Sequence, residues 1–267
     1  MSLANAPDGR TKLTFLGTST VVPGAGHDTA SLLVNGRILI DTGWYSALKM
    51  QVHGFNPLDV DHLILTHCHQ DHYIGLPQLL FFRAMRRRDR PHLPLLKVIG
   101  PAADVERVVR LSMGLLQPKR FEGVCERPEV VPVTPGETYE GADFRLETCA
   151  ALHPVQGLSL RFKDGRTGAA FAYSGDTAYN PRLVDHVLGV SLLIHEASFG
   201  ANPAPNENPS LHSGAPDAAR IATEAGVGRL ALVHCPEKDQ EAALATAQQI
   251  FPNTFWPEDG ETVLLEN

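Results

Sequence analysis

The sequence predicts an α/β protein in which residues 1–267 form one layered domain, with two central sheets or one large sheet. Short apolar runs ended by turn-forming residues alternate with longer helix-like stretches, which is the pattern of an α/β fold. These runs occur in both halves of the chain, and no linker rich in proline, glycine or serine separates the halves. A length of 267 residues is long for one domain but suits a large α/β unit.

The predicted elements follow from local patterns along the chain. The first strand covers residues 12–16 and stops at Gly17. Residues 31–34 and 37–40 should form a hairpin, because the Asn35-Gly36 pair between them favours a two-residue turn. The other predicted strands are short apolar runs at 62–66, 96–99, 144–148, 158–162, 169–173, 191–194 and 230–233. The predicted helices lie at 75–86, 102–115, 181–186, 215–225 and 240–250.

The composition is that of a soluble globular protein and argues against two classes of function. Hydrophobic residues make up 43% of the chain and charged residues 20%. The formal net charge of -7 does not suggest a protein that coats nucleic acid. The N-terminus has no apolar signal region and no stretch approaches a membrane span, so we expect a cytoplasmic protein with no membrane partner. Four widely spaced cysteines indicate reduced thiols rather than a disulfide framework: Cys68, Cys125, Cys149 and Cys235.

The most informative segment is the hexapeptide His67-Cys68-His69-Gln70-Asp71-His72, which directly follows the predicted strand at 62–66. Three imidazoles and a carboxylate within six positions are costly to pack without a purpose. They suit a loop that wraps one side of a metal pair. Neutral imidazole and carboxylate favour zinc, iron or manganese over an oxygen-only calcium or magnesium site.

Three further ligand-type residues each lie just beyond a predicted strand: His153, Asp176 and His234. Taken singly, a histidine or aspartate at a strand end is more often a cap or a turn residue. Together with the hexapeptide they provide five histidines and two aspartates, about enough for two metals that share one carboxylate. Two-metal hydrolytic sites of this kind activate a bridging hydroxide.

With these motifs the chain resembles the metallo-β-lactamase superfamily and, within it, the ribonuclease Z-like branch. The superfamily resemblance rests on the H-x-H-x-D-H loop and the order of the later ligands. The branch resemblance rests on segments that extend over nearly the whole chain: 15–19, 40–43, 175–177, 193–198, 212–222 and 258–260. The resemblance implies a four-layer αββα sandwich with the metals at one edge of the sheets.

The resemblance also implies roles for individual residues. One divalent metal, zinc with manganese or iron as alternatives, would be held by His67, His69 and His153. A second would be held by Asp71, His72 and His234, with Asp176 bridging the two. Asp71 is the expected base of the branch, although orienting the hydroxide suits a metal-bound carboxylate better. Glu196 and His212 would donate a proton to the leaving oxygen, and Asp41 would be a supporting residue rather than a ligand.

The sequence departs from the branch at several positions. Gln70 stands where the pattern usually has a small residue, and the segment at 44–46 is Trp-Tyr-Ser. Residues 158–176 leave no room for the long arm that tRNA-processing members use as an exosite. The basic run Arg83–Arg90 could contact phosphates or could end a helix in solvent, and the acidic balance of the chain favours the second interpretation.

Three functions remain open from the sequence. The leading hypothesis is a phosphodiesterase that uses a dinuclear metal-bound hydroxide on a small or cyclic phosphodiester. The first alternative is a ribonuclease Z-type endonuclease that processes the 3′ end of tRNA, so RNA is a possible but not a favoured partner. The second alternative is an arylsulfatase or lactonase on the same metal site. A homodimer is expected from the branch alone.

Overall fold

Two facing β-sheets with helices on both outer faces form the architecture, in a computed structural model that describes residues 9–266. The strands in chain order are β1 (Thr11–Gly17), β2 (Ser31–Val34), β3 (Ile38–Ile40), β4 (His62–Ile64), β5 (Lys97–Pro101), β6 (Glu129–Val133), β7 (Thr138–Glu140), β8 (Phe144–Ala151), β9 (Gly157–Asp164), β10 (Ala170–Tyr173), β11 (Leu192–Glu196), β12 (Leu230–Val233), β13 (Thr254–Phe255) and β14 (Thr262–Leu265). The α-helices are α1 (Ser46–Val52), α2 (Gln70–Tyr73), α3 (Leu76–Arg86), α4 (Val105–Leu115), α5 (Pro181–His186), α6 (Ala215–Glu224) and α7 (Gln240–Ile250).

Each sheet has seven strands and is half antiparallel and half parallel. The first sheet has the order β14-β1-β2-β3-β4-β5-β6, with parallel pairing from β3 to β6. The second has the order β13-β12-β11-β10-β9-β8-β7, with parallel pairing from β10 to β13. Parallel strands place their carboxyl ends at one edge, which is where α/β proteins build their sites.

The core divides into three apolar layers. Between the sheets, side chains of both meet, and the ring of Phe162 stacks on Phe144 and Phe171 at centroid distances of 5.1 and 5.0 Å. A second layer joins the first sheet to α1, α3 and α4, and a third joins the second sheet to α5, α6 and α7. Because the central strands are covered on both faces, β3, β10 and β12 read as continuous apolar runs, whereas β8 and β14 nearer the sheet edges alternate. The four-layer αββα sandwich is therefore confirmed.

Most of the predicted elements are confirmed within a few residues. The predicted hairpin is present, but Val34 pairs with Ile38, so three residues (35–37) connect the strands instead of two. Asn35 and Gly36 take positive φ values of 52° and 71° in the turn that the Arg37 amide closes by donating to the Val34 carbonyl. Helix α4 begins at Val105 instead of residue 102. Helices α1 and α2 and strands β6, β7, β13 and β14 were not predicted. No helix within residues 9–266 is both long enough and apolar enough to cross a bilayer.

The predicted helix end in solvent is confirmed for Arg86, Arg88 and Arg90, which are exposed, and is wrong for Arg83. Arg83 does not end the helix in solvent, because its side chain is fully buried and its guanidinium bonds the buried carboxylate of Glu126 at 3.1 Å. Arg87 bonds the same carboxylate at 3.2 Å, and Arg90 bonds Asp59 at 2.6 Å. The side chain of Phe81, on the same helix, is exposed.

The two sheets are joined at the edge where their carboxyl ends gather. The Leu158 amide of β9 donates to the Thr66 carbonyl just after β4, at 2.8 Å. The His234 amide after β12 donates to the Thr18 carbonyl after β1, also at 2.8 Å. These bonds align the loops of one sheet with those of the other, so a site at this edge draws residues from both.

Candidate metal centre

The seven residues expected to bind metal lie together at this edge. They are carried by four segments, which follow β4, β8, β10 and β12. Among residues 9–266 the possible ligand atoms form four overlapping groups, and within each group they lie within 4.8 Å of one another. Two of these groups include His212, and the other two contain only the seven expected ligands. Of the latter, the first group is His67, His69 and His153, and the second is Asp71, His72, Asp176 and His234. The division matches the one that the family resemblance implies.

In the first group three imidazoles converge on one point. The Nε2 atom of His153 lies 2.9 Å from Nδ1 of His69, and the ring of His67 lies 4.9 Å from that of His69 and 4.7 Å from that of His153. The Nε2 atom of His67 is buried and has no hydrogen-bond partner among residues 9–266. Burial lowers the pKa of His67 well below its usual range, which favours the neutral form that binds a cation.

In the second group two imidazoles face two carboxylates. The Nε2 atom of His72 lies 3.3 Å from an oxygen of Asp71 and 3.3 Å from an oxygen of Asp176. His234 Nε2 lies 3.2 and 3.5 Å from the same two oxygens. That Asp176 oxygen is also 3.7 Å from Nε2 of His67. Asp176 therefore faces both groups, as a shared ligand must.

The donor set fits a pair of divalent cations. Burial opposes ionisation of Asp71 and Asp176, but the surrounding imidazoles outweigh it and lower the pKa of both carboxyls, strongly so for Asp176. The Nε2 atom of His72 is buried without a hydrogen-bond partner in the described part of the chain, as His67 Nε2 is. A buried polar nitrogen without a partner is costly, and a metal would satisfy both atoms.

Asp41 supports the ligands without joining them. Its carboxylate is fully buried and accepts hydrogen bonds from the Thr66 amide at 2.8 Å, the Thr66 hydroxyl at 2.7 Å and His72 Nδ1 at 2.9 Å. The Thr66 hydroxyl lies 3.2 Å from Nδ1 of His67. One carboxylate thus orients a histidine of each group, directly for His72 and through Thr66 for His67.

Glu196 and His212 form a second polar pair beside the cluster. Glu196 is buried at the end of β11, and its carboxylate accepts from His212 Nδ1 at 2.8 Å and from the Thr177 amide at 2.8 Å. Burial lowers the pKa of His212, but the hydrogen bond and the charge of Glu196 outweigh it and raise the pKa to about 9. His212 therefore carries a proton at neutral pH.

A cavity of about 420 Å³ opens onto the cluster. Its walls combine ligand-type residues, His212 and four positions with no assigned role: Thr20, Val21, His69, Gln70, Asp71, Asp176, Ser198, His212 and His234. Ser198, Thr20 and Val21 were not predicted to line the site. Ser198 could have been predicted, because it lies two residues after Glu196. Thr20 and Val21 are not ligand-type residues themselves and gave no signal.

The comparisons with known proteins agree with this geometry. A family model described as Anti-Pycsar protein Apyc1 matches residues 11–249. The chain belongs to this family. A ribonuclease Z from Methanothermobacter thermautotrophicus is 29% identical to this Apyc1-family chain, over 94% of the chain and 96% of that protein.

Solved structures show the same fold. The metallo-beta-lactamase fold protein YhfI from Bacillus subtilis has a TM-score of 0.77 at 24% identity, covering 96% of this chain and 99% of its own. The short form of human tRNase Z, ELAC1, has a TM-score of 0.75 at 18% identity, covering 94% and 98%. The resemblance to the ribonuclease Z-like branch of the metallo-β-lactamase superfamily is thus confirmed. This Apyc1-family chain is a metal-dependent hydrolase.

Proposed function

We propose that this protein is a phosphodiesterase that hydrolyses a small or cyclic phosphodiester at the candidate metal centre. The observation that carries the proposal is the cavity of about 420 Å³, which brings both ligand groups and the protonated His212 to one space. A cavity of this size is at the small end of the range for ligand sites of roughly 300–1,000 Å³. Its volume suits a compact substrate held against the candidate ligands.

The residues divide into metal ligands and groups that handle protons. His67, His69 and His153 would hold one divalent ion, and Asp71, His72 and His234 the other, with Asp176 shared. Zinc suits these donors, with manganese or iron as alternatives. When bound, two such ions neutralise charge on the phosphoryl oxygens and promote the ionisation of water. Asp71 lines the cavity and orients the attacking oxygen through a hydrogen bond.

His212 acts as the proton donor. Its Nδ1 is held by Glu196 at 2.8 Å, so its other nitrogen, Nε2, is available in the cavity that His212 lines. As the bond from phosphorus to the leaving oxygen breaks, that oxygen takes the proton from Nε2, and the products are an alcohol and a phosphomonoester. A proton donor positioned in this way contributes about 10²–10⁴-fold for a poor leaving group.

An endonuclease that acts on tRNA precursors is the second candidate. Similarity to a protein named ribonuclease Z over 94% of the chain favours it. Two features favour the small diester instead. Strand β9 ends at Asp164 and β10 begins at Ala170, so no arm extends between them. In the basic run, Arg83, Arg87 and Arg90 already pair with acidic side chains of the protein.

A side-by-side assay on one zinc- or manganese-loaded preparation separates the candidates. A small aryl phosphodiester and a precursor tRNA with a 3′ trailer are the two substrates, and His67→Ala controls for contaminating enzymes. Turnover of the diester alone supports the proposal. Efficient trailer removal without diester turnover would refute it in favour of the endonuclease. If neither is cut, sulfate esters and lactones test the arylsulfatase and lactonase alternatives.

We also propose a homodimer in the cytoplasm. Helices α3 and α4 pack together and leave large apolar side chains exposed, namely Phe81 and Met85 on α3 and Leu111 and Leu115 on α4. Exposed apolar patches of this kind are typical of protein interfaces. All four cysteines are unpaired, which suits a reducing compartment. A mass from light scattering that corresponds to a single chain would refute the proposed dimer.

A further inference from the structure

The hydroxyl of Ser198 lies between two imidazoles that have different proposed roles. Ser198 Oγ is 2.9 Å from Nδ1 of His234 and 3.2 Å from Nδ1 of His212. The two rings are stacked, with centroids 5.7 Å apart and planes at 15°. Ser198 lines the same cavity and has no assigned role in the proposed reaction. Its hydroxyl is therefore placed between a candidate metal ligand and the candidate proton donor.

The protonation of His234 defines what this hydroxyl does. His234 Nε2 faces the carboxylates of Asp71 and Asp176, so a cation there needs the lone pair of Nε2. The proton of the neutral ring must then be on Nδ1, which has to donate it. Ser198 Oγ accepts this hydrogen bond, and its own hydroxyl proton goes to the His234 carbonyl at 3.2 Å. The hydroxyl thus fixes both the tautomer and the rotation of the ring.

Ser198 also belongs to the segment that holds His212. The Ser198 amide donates to the second oxygen of Glu196 at 3.1 Å, while the first oxygen accepts from His212 Nδ1 at 2.8 Å. The short stretch from Glu196 to Ser198 therefore grips both imidazoles, one through the carboxylate and the other through the hydroxyl. Two other ligand histidines have a supporting partner that does not contact His212, namely Thr66 for His67 and Asp41 for His72. The partner of His153 is the Leu211 carbonyl, which belongs to the peptide bond that precedes His212.

We propose that Ser198 is a positioning residue that holds His234 in its metal-binding tautomer and fixes the position of its ring relative to that of His212. The inference rests on the proposed ligand and donor roles of these two histidines. It predicts that the hydroxyl affects metal binding even when no substrate is present. Partners of this kind typically change metal affinity about 10–100-fold when they are removed.

The test compares Ser198→Ala with Ser198→Thr, which removes the hydroxyl in the first case and keeps it in the second. Zinc affinity is measured by competition with a chromogenic chelator on the full chain. We expect the dissociation constant of the weaker-bound zinc to be about 10–100-fold higher in Ser198→Ala than in the wild type. Ser198→Thr should restore most of this affinity. Ser191→Ala is the matched control, because Ser191 is also a partly buried serine that donates to a backbone carbonyl, that of Ala170 at 2.7 Å.

Three results would overturn the inference. The first is a Ser198→Ala variant with wild-type zinc affinity. The second is a Ser198→Thr variant that loses as much affinity as Ser198→Ala, because the hydroxyl would then not be the determinant. The third is an equal loss in Ser191→Ala, which would show a general effect of serine removal. Thermal denaturation of the metal-free variants checks that each one folds.

A second readout separates this inference from the proposed function. With aryl phosphodiesters of graded leaving-group basicity, Ser198→Ala saturated with zinc should lose more turnover on poor leaving groups than on good ones. If the wild type cuts no phosphodiester, the proposed function fails, and the zinc titration still decides the role of Ser198. If the wild type is active and zinc affinity is unchanged in Ser198→Ala, only the inference about Ser198 fails.

Discussion

The pairing of Glu196 with His212 predicts how the rate should depend on pH and on the leaving group. The hydrogen bond and charge of Glu196 raise the pKa of His212 to about 9, against 6.5 for an ordinary histidine. His212 is active as an acid only when protonated, so turnover of a substrate with a poor leaving group should be lost as the pH rises through about 9. Glu196→Gln removes the charge while keeping the shape of the side chain. The pKa of His212 should then fall toward 6.5.

The expected magnitude follows from these two pKa values. At pH 8 a group with a pKa of about 9 is about 90% protonated, whereas one with a pKa of 6.5 is only about 3% protonated. Glu196→Gln should therefore lower the rate on a poor leaving group by up to about 30-fold at pH 8, and much less at pH 6. His212→Ala should show the full loss at every pH. A nitrophenolate leaves without a proton, so its release should be nearly unaffected in both variants.

The assay is a pH-rate profile for two aryl phosphodiesters, one with a good and one with a poor leaving group, on zinc-loaded enzyme. Glu122→Gln is the matched control, since it makes the same change at an exposed glutamate. Identical alkaline limbs for wild type and Glu196→Gln on the poor leaving group would refute proton donation by His212. Equal losses on both substrates would mean that Glu196 serves the metal site or the fold instead.

Three further predictions test the metal centre and the basic helix. The wild type should bind about two metal equivalents per chain and Asp176→Ala fewer, as measured by elemental analysis after gel filtration. A single equivalent in the wild type would exclude Asp176 as a bridging ligand. Asp41→Asn should weaken metal binding about 10–100-fold, because it removes the anionic partner of His72; an unchanged chelator titration would contradict this. Arg83→Met should lower the free energy of unfolding by about 3 kcal/mol, because it breaks the buried ion pair with Glu126, which would retain only its contact with Arg87. Arg86→Met, on the exposed side of the same helix, should lower it by less than about 0.5 kcal/mol. Equal melting temperatures for the two arginine variants would refute the buried role.

The gathering of the candidate ligands at one edge could be predicted from the sequence, because their residue types agree with their positions after strands. The order from His67 to His234 also matches one known arrangement. The hairpin at Asn35-Gly36 was equally accessible, because its turn depends on two adjacent residues. In both cases the signal is local in sequence, even though the contacts that result are not.

The remaining features could not be predicted because they depend on partners far away in the chain. Nothing near Arg83 indicates that Glu126, 43 residues later, supplies a buried carboxylate. Strand β6 contains Pro132 and its first four residues are not fully buried, so its apolar pattern is weak, as expected for the last strand of a sheet. The role of the Thr20-Val21 loop depends on how the two sheets face each other.

The dependence of the centre on both sheets links its chemistry to the docking of the fold. Asp41, Thr66 and the hexapeptide histidines come from the first sheet, whereas Asp176 and His234 come from the second. At this edge, backbone hydrogen bonds from Leu158 to Thr66 and from His234 to Thr18 connect those two sets of loops. A divalent ion bound to His67 and Asp176, or to His72 and His234, would connect the same two sheets. Metal binding should therefore stabilise the sandwich as a whole, because an ion that binds only the docked state shifts the folding equilibrium by mass action.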